Sequence, residues 1–224
     1  MRKTFLAITL FLAFSKAALA QFGNCTASEM RTYVDSATGN TITMLTDTMK
    51  NDRFLYQTDP MWTADGKYLL FRSSSRGNDK EVESTLPNGE KRKWTPTQIY
   101  FIEMTTGKII QATEGPNLGS AFLANKTNRM FVSRKEKENW NMYVMDLDKF
   151  FADVKQGKVG KPSAYETFIG TFPTEMGRPG GYAVDCNDDY AYITVEREGT
   201  EEEKERMMKN AFLPESNQPV KIKP

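Results

Sequence analysis

Residues 59–73 read DPMWTADGKYLLFRS, and this stretch decides the fold of the chain. An apolar segment leads into Asp65-Gly66, and the chain then returns as a strand rich in aromatic and aliphatic side chains. Asp-Gly between two apolar runs predicts a tight hairpin, because glycine accepts the positive φ that such a turn requires. Weaker copies of the unit follow at 122–133 and 184–194. Repetition at intervals of about 60 residues indicates stacked supersecondary units.

A second kind of hairpin, built on a Thr-Gly turn, alternates with the first. It occurs at 33–46 and at 100–113, and a third copy begins at Met142. In that copy a short helix over 147–157, with Asp148 as its N-cap, replaces the turn. Each repeat therefore has four antiparallel strands, named A to D in chain order. Such repeats predict an all-β chain folded as a β-propeller, and the fixed alternation of two hairpin types favours this fold over a β-sandwich.

The number of repeats indicates an incomplete ring. We expect a linker at 21–32 and a partial propeller over 33–224. The predicted blade hairpins lie near 33–46, 59–113, 118–169 and 181–196. Because propellers close with about four to eight blades, the three to four blades predicted here do not complete a larger ring. We therefore expect the chain to be the N-terminal part of a longer protein.

Residues 1–20 have the features of a cleavable signal peptide. Arg2 and Lys3 precede a short apolar segment, and an Ala-Leu-Ala cleavage site ends at Ala20. The sequence thus predicts an exported protein, periplasmic or secreted, that is cleaved after Ala20. No later segment is apolar enough to cross a membrane.

The charge balance argues against a nucleic-acid partner. Without residues 1–20 the chain keeps 27 of its 30 basic residues against 29 acidic ones, so its net charge is about −2. A nucleic-acid-binding protein would show a basic face instead. The two cysteines, Cys25 and Cys186, belong to an exported chain in which a disulfide is allowed, but two cysteines alone do not establish a bridge.

The irregular connections of the repeat carry the candidate binding residues. The Asp-Gly and Thr-Gly turns are regular and lie at one end of the blades. The connections from strand D to the next strand A, at 48–59, 114–120 and 170–181, are irregular. In a propeller these connections converge on the central axis, and loops on a rigid scaffold often carry function. The candidates, whose types suit carboxylates and sugar rings, are Arg53, Tyr56, Gln57, Asn117 and Arg178, and Glu175 is expected to line the same mouth.

Two longer segments also depart from the repeat. Residues 74–94 indicate a protruding hairpin with many charged side chains, a pattern more typical of a solvated surface than of a binding site. Residues 199–217 contain a capping box and i, i+4 charge pairs. They predict a helical insertion that lies over the end of the ring opposite the Asp-Gly and Thr-Gly turns, or a charged helix that is exposed because its partner blades are missing.

The chain contains no histidine. This absence excludes a Ser-His-Asp triad and every histidine-containing zinc or iron site within the segment. The oxygen-rich run at 185–189 lacks EF-hand spacing and aligns with an A-to-B turn, where Asp and Asn serve turn geometry. We therefore predict no metal site and no cofactor in this segment, and the sequence assigns no catalytic residue.

Two groups of residues resemble known families. The run at 59–67, together with 103–107, resembles the TolB-like (WD-repeat-like) propeller repeat, which implies an architecture rather than a function. Leu55-Tyr56-Gln57, followed by 62–71 and preceded by Asp35 to Thr46, resembles the start of the oligogalacturonate lyases. These are seven-bladed propeller enzymes that act on unsaturated pectin fragments. The likeness covers roughly residues 33–195 and about half of a family member.

The lyase resemblance implies β-elimination on pectin-derived acidic oligosaccharides. It also implies manganese in the complete protein, bound by histidines and a glutamine of later blades. The reaction needs a base beside the carbon α to a carboxylate and a positive partner for that carboxylate. This segment would contribute substrate binding, with Arg53 or Arg178 as the carboxylate partner. One position departs from the family pattern, because Asp52 stands where members have a histidine.

Three functions fit the sequence. The first is the N-terminal half of a lyase that acts on acidic sugars. The second is a non-catalytic, TolB-like envelope propeller that binds a protein or a glycan. The third is the propeller domain of a prolyl-oligopeptidase-like peptidase, which a G-x-S-x-G motif in a further domain would indicate.

Overall fold

The computed structural model describes residues 22–77, 81–85, 89–172, 178–196 and 217–222. Within them, one α-helix, α1 (Leu147–Gln156), and one 3-10 helix, Pro162–Ala164, accompany a set of antiparallel strands, which confirms the predicted all-β fold. The strands are β1 (Cys25–Thr26), β2 (Arg31–Val34), β3 (Thr41–Met44), β4 (Asp52–Arg53), β5 (Tyr68–Ser73), β6 (Val82–Thr85), β7 (Lys91–Trp94), β8 (Gln98–Glu103), β9 (Ile109–Gln111), β10 (Leu118–Leu123), β11 (Arg129–Glu136), β12 (Asn139–Asp146), β13 (Glu166–Phe172), β14 (Arg178–Val184), β15 (Ala191–Glu196) and β16 (Asn217–Ile222).

Three sheets have the strand order of propeller blades. The first blade is β1-β9-β8-β5-β4, the second β10-β11-β12-β13 and the third β14-β15-β16. In the first two blades the strands A to D follow one another across the sheet, as they do in a propeller, and the described strands of the third blade follow the same order from A to C. The hairpins β2-β3 and β6-β7 form two further sheets of two strands each.

The central strands of the first blade are buried on both faces. On β5, Tyr68 and Leu70 belong to a core cluster that includes α1, whereas Phe71 packs in a second cluster with Tyr100. The ring of Phe151, from α1, stacks on Tyr68 with the centroids 3.6 Å apart. A strand that is buried on both faces has a continuous apolar sequence instead of an alternating one, which explains the YLLF run.

The two predicted turns lie at the same end of the first blade. Tyr68, the first residue of β5, pairs with Glu103, the last residue of β8. Gly66 and Gly107 have φ values of 69° and 71°, the left-handed conformation that their turn patterns predict. The connections from strand D to strand A therefore lie at the opposite end.

Strand A of the first blade is interrupted, which the sequence pattern did not predict. The two residues of β4 pair with Arg72 and Ser73, and Trp62 forms a separate bridge to the start of β5. Residues 54–60 leave the sheet between these two pairings. Arg53, expected in a loop, is thus held by a strand at the far end of β5.

Residues 22–26 belong to the first blade rather than to a linker. Phe22 is buried, and its ring centroid lies 5.0 Å from that of Phe150. β1 pairs with β9 and adds a fifth strand to the sheet. This pairing covers the outer edge of the blade, whose backbone groups would otherwise be open. Cys25 in this strand and Cys186 are both exposed and free.

The helix predicted at 147–157 is α1, and it ends at the left-handed C-cap Gly157. Its N-cap is Asp146 rather than Asp148, because the Asp146 carboxylate accepts a hydrogen bond from the backbone N–H of Lys149. Asp146 is also the last residue of β12, so it has the extended conformation that an N-cap requires. Asp148 lies in the first turn instead.

Several predicted features lie outside the described residues. They include the signal peptide at 1–20, Glu175, and residues 199–216 of the predicted helical insertion. Asn217 is described, and it begins β16, which pairs with β15 as strand C of the third blade. In the part of the chain that the structure covers, no helix has the length and apolar character needed to cross a bilayer.

Hydrogen bonds join neighbouring blades at the turn end. The carboxylate of Asp188, in the third blade, accepts hydrogen bonds from the backbone N–H groups of Asn125, Lys126 and Thr127 in the second blade. Burial acts to raise the pKa of the Asp188 carboxyl group. The hydrogen bonds together lower that pKa by more than burial raises it, so the pKa lies below its usual value. The oxygen-rich run that contains Asp188 therefore serves the turns and the contact between blades.

Candidate functional site

A pocket of about 750 Å³ opens at the end of the blades that carries the connections from strand D to strand A. Residues of β4, β10 and β14, the strands A of three blades, contribute to its wall. The pocket thus lies where the blades converge, at the predicted central mouth. Its volume falls within the range of about 300–1,000 Å³ that is usual for ligand sites.

Two of the predicted binding residues line this pocket. They are Arg53, from β4, and Tyr56, which follows in the chain and is 66% exposed. Gln57 and Asn117 are exposed, and neither is among the described residues that line this pocket. Arg178 is the first residue of β14, and later residues of that strand reach the pocket.

Three further residues of the pocket wall were missed by sequence analysis, namely Arg72, Arg92 and Trp94. Arg72 is the exposed residue of β5, and its guanidinium donates a hydrogen bond of 3.4 Å to the carbonyl oxygen of Phe54. The sequence feature that could have indicated a role for Arg72 is its charge, which interrupts an otherwise apolar strand. Arg92 and Trp94 lie on β7, in the hairpin that was interpreted as a solvated surface. The sequence feature that could have indicated a binding role for this hairpin is Trp94, an aromatic residue at the end of a charged segment.

The arginines give the pocket a positive wall. Arg53, Arg72 and Arg92 line it together with Asp59, the one carboxylate among its described lining residues. Between the described residues, no ion pair involves any of these three guanidinium groups. Arg53 donates through Nε to the side-chain oxygen of Asn51 at 3.3 Å. Exposed guanidinium groups of this kind bind carboxylates through two parallel hydrogen bonds.

Two aromatic side chains line the same pocket as these arginines. Tyr56 and Trp94 both line the pocket, and Trp94 is 37% exposed. Tyr and Trp combine a flat apolar ring with a polar group, so they suit ligands that are partly apolar and partly hydrogen-bonding. Guanidinium groups without an ion-pair partner among the described residues, together with exposed aromatic rings in one pocket, are chemically suited to an anionic ligand that also has an apolar face.

An ion-pair network links Asp52 of β4 to Arg76, which follows β5, and to Glu29. Arg76 donates to both carboxylate oxygens of Asp52, at 2.8 and 2.6 Å, and to both of Glu29, at 2.9 and 2.6 Å. The Arg76 side chain is 6% exposed and that of Asp52 is 9% exposed. The hydrogen bond from Arg76 is the main cause that lowers the pKa of Glu29. Asp52, which departs from the lyase pattern, thus has a structural partner in this chain.

A second pocket, of about 810 Å³, lies at the turn end and contains the carboxylates of Asp65, Asp146 and Asp148. Each of them already accepts a hydrogen bond from a turn, a helix or a neighbouring side chain. Across the described ranges, no group of three or more Asp, Glu or Cys side chains could hold a metal ion. The pocket at the central mouth is therefore the stronger candidate for ligand binding.

Comparison with known proteins finds a structural relationship. No known family model matches the chain, and no curated protein matches its sequence. An oligogalacturonate lyase solved in complex with manganese superposes with a TM-score of 0.55 at 19% identity, over 79% of this chain and 38% of the lyase. An oligogalacturonate lyase from Vibrio parahaemolyticus superposes with a TM-score of 0.53 at 20% identity, over 78% of this chain and 38% of that one.

The chain thus has a β-propeller-like fold of the kind found in the oligogalacturonate lyases, as the resemblance at 33–195 predicted. At identities of 19% and 20% the likeness establishes the fold alone. The chain spans 38% of the length of these lyases.

Proposed function

We propose that this chain binds pectin-derived acidic oligosaccharides at the central mouth, as part of an oligogalacturonate-lyase-like propeller. The observation that carries the proposal is the positive wall of the pocket, where Arg53 and Arg72 lack an ion-pair partner among the described residues. Galacturonate has one carboxylate on each sugar ring, and a guanidinium group is its natural partner. Tyr56 adds a ring against which the sugar can lie. The fold shared with the lyases supports the same ligand class.

For the complete protein we propose β-elimination of these oligosaccharides. Elimination removes the proton α to a carboxylate, and neutralising the charge of the carboxylate stabilises the anion that forms. Arg53 and Arg72 supply this positive charge and orient the sugar ring. The described residues fit no manganese site and the chain has no histidine, so we assign no step to a metal and no base to this segment.

Calorimetric titration with trigalacturonate tests the binding site. We expect Arg53→Ala and Arg72→Ala each to weaken binding about ten- to a hundredfold, because a hydrogen bond to a charged group contributes about 1.5–3 kcal/mol. Arg178→Ala tests the remaining predicted arginine in the same way. Arg129→Ala is the matched control, since Arg129 is an exposed arginine that lines the pocket at the opposite end.

The outcomes of this titration are distinct. If the wild-type chain does not bind trigalacturonate, the acidic-sugar function is wrong. If it binds, but Arg53→Ala and Arg72→Ala bind equally well, the site lies elsewhere on the blades.

Ultraviolet absorbance separates catalysis from binding. The double bond formed by elimination is conjugated with the carboxylate, so product formation by the complete protein with manganese gives a rising signal. Binding without this signal would instead favour a non-catalytic propeller that holds a glycan, the second function that the sequence allows.

A further inference from the structure

The hairpin β6-β7 is an insertion between strands B and C of the first blade. Its two strands pair with each other, Val82 opposite Trp94 and Ser84 opposite Arg92. Among the described strands it is hydrogen-bonded to no other. The hairpin therefore adds a surface beside the blade without altering the blade's strand order.

The two faces of this hairpin differ. Successive side chains of a strand point to opposite faces. On one face, Lys91 forms an ion pair with Glu83 at 2.7 Å, in the solvent-exposed pattern expected for a surface hairpin. On the other face, Arg92 and Trp94 line the pocket at the central mouth. The alternation thus separates a charged outer face from a pocket face that carries one cation and one aromatic ring.

The pocket face repeats the chemistry that β4 and the following loop already provide. There, Arg53 and Tyr56 contribute a guanidinium group and a ring, and on the hairpin Arg92 and Trp94 contribute the same pair. The two pairs belong to different elements that line one pocket of about 750 Å³. A single sugar ring is smaller than the drug-sized ligands that such volumes accommodate.

We propose that Arg92 and Trp94 form a second subsite, which binds the sugar ring next to the one held by Arg53 and Arg72. The Trp94 ring lies against the face of this second sugar, and the Arg92 guanidinium pairs with its carboxylate. The hairpin thereby makes the pocket selective for uronate oligomers over the monomer. This inference rests on the proposed function, because it assumes that the pocket binds acidic sugars.

The experiment compares galacturonate, digalacturonate and trigalacturonate by calorimetry. For Arg92→Gln and for Trp94→Ala we expect about tenfold weaker binding of the dimer and trimer, with binding of the monomer changed less than about twofold. Lys93→Gln is the matched control, because Lys93 is a cation on the opposite face of the same strand. This variant should leave the affinities for the monomer, the dimer and the trimer unchanged. Thermal unfolding of each variant checks that the blade is intact.

Tryptophan fluorescence gives an independent readout. The chain has three tryptophans, of which Trp94 lines the pocket while Trp62 and Trp140 do not. We expect trigalacturonate to change the emission of the wild type but not that of Trp94→Phe. Equal weakening of monomer and trimer binding, or unchanged binding of both, overturns the subsite while leaving the proposed function in place. If the wild type binds no uronate of any length, both proposals are wrong.

Discussion

The first blade contains one buried arginine and two pocket arginines, which have the same charge and different roles. Arg76 is buried and donates hydrogen bonds to the carboxylates of Asp52 and Glu29. Arg53 and Arg72 line the open pocket and have no ion-pair partner among the described residues. Arg76 stabilises the blade, whereas Arg53 and Arg72 are available to a ligand.

The difference arises within very short stretches of chain. Asp52 and Arg53 are neighbours on β4, and their side chains point to opposite faces because successive residues of a strand alternate. Asp52 meets Arg76, and Arg53 reaches the pocket. Residue type and position in the sequence therefore do not separate a structural arginine from a binding one. What separates the two kinds of arginine is whether carboxylates contact the guanidinium group.

The largest effect is expected for removal of the buried arginine. Arg76→Met leaves the Asp52 and Glu29 carboxylates without their partner, and breaking a buried ion pair costs about 3–5 kcal/mol. Because Glu29 keeps 25% of its side chain exposed, we expect the lower end of that range for the loss in free energy of unfolding. Urea denaturation at pH 7 measures it.

Arg72→Met is the control for this measurement. Arg72 is exposed, has no ion-pair partner among the described residues and makes only a long hydrogen bond of 3.4 Å to the Phe54 carbonyl oxygen, so its loss should change the free energy of unfolding by no more than about 0.5 kcal/mol. The same variant should bind trigalacturonate more weakly. Similar stability losses for Arg72→Met and Arg76→Met would contradict the division into structural and binding arginines.

The blades could be predicted from sequence because their turns are local. Asp65-Gly66 and Thr106-Gly107 fix the conformation of a few adjacent residues, and these signals recur with the repeat. The pairing of β1 with β9 and the contact between Arg76 and Glu29 were not predicted. These contacts join residues far apart in the chain, 47 positions in the case of Glu29, and nothing local specifies them.

The candidate site was predicted in part for the same reason. Arg53 and Tyr56 lie near a connection that the propeller geometry brings to the central mouth, so a repeat pattern was enough to select them. Arg72 lies inside a strand, and Arg92 and Trp94 lie on an insertion. Which face of that insertion meets the pocket depends on packing that a sequence pattern does not describe.

A smaller effect is expected from acid. Arg76 lowers the pKa of Glu29 in the folded chain, so the unfolded chain binds the proton more readily. The stabilisation from this contact is complete above the ordinary glutamate pKa of 4.5 and is lost as the pH falls through the lower folded pKa. The stability difference between wild type and Arg76→Met should therefore narrow below about pH 4.5. Urea denaturation at several pH values measures it, and a constant difference would show that Glu29 is not stabilised by Arg76.

The smallest effect is expected from salt, and it concerns the arginines of the pocket. Raising the salt concentration from about 0.1 to 1 M shortens the Debye length from about 10 to 3 Å, which screens exposed charges far more than buried ones. We expect trigalacturonate affinity to fall severalfold, while the stability difference between wild type and Arg76→Met stays nearly constant.

Arg53→Ala should bind weakly with a shallower dependence on salt, because it has lost one of the screened charges. Trp94→Ala should bind weakly with the wild-type dependence, because its ring carries no charge. Equal salt dependence in wild type and Arg53→Ala would mean that Arg53 acts through its shape or packing, and not as the cation that the comparison with Arg76 assigns to it.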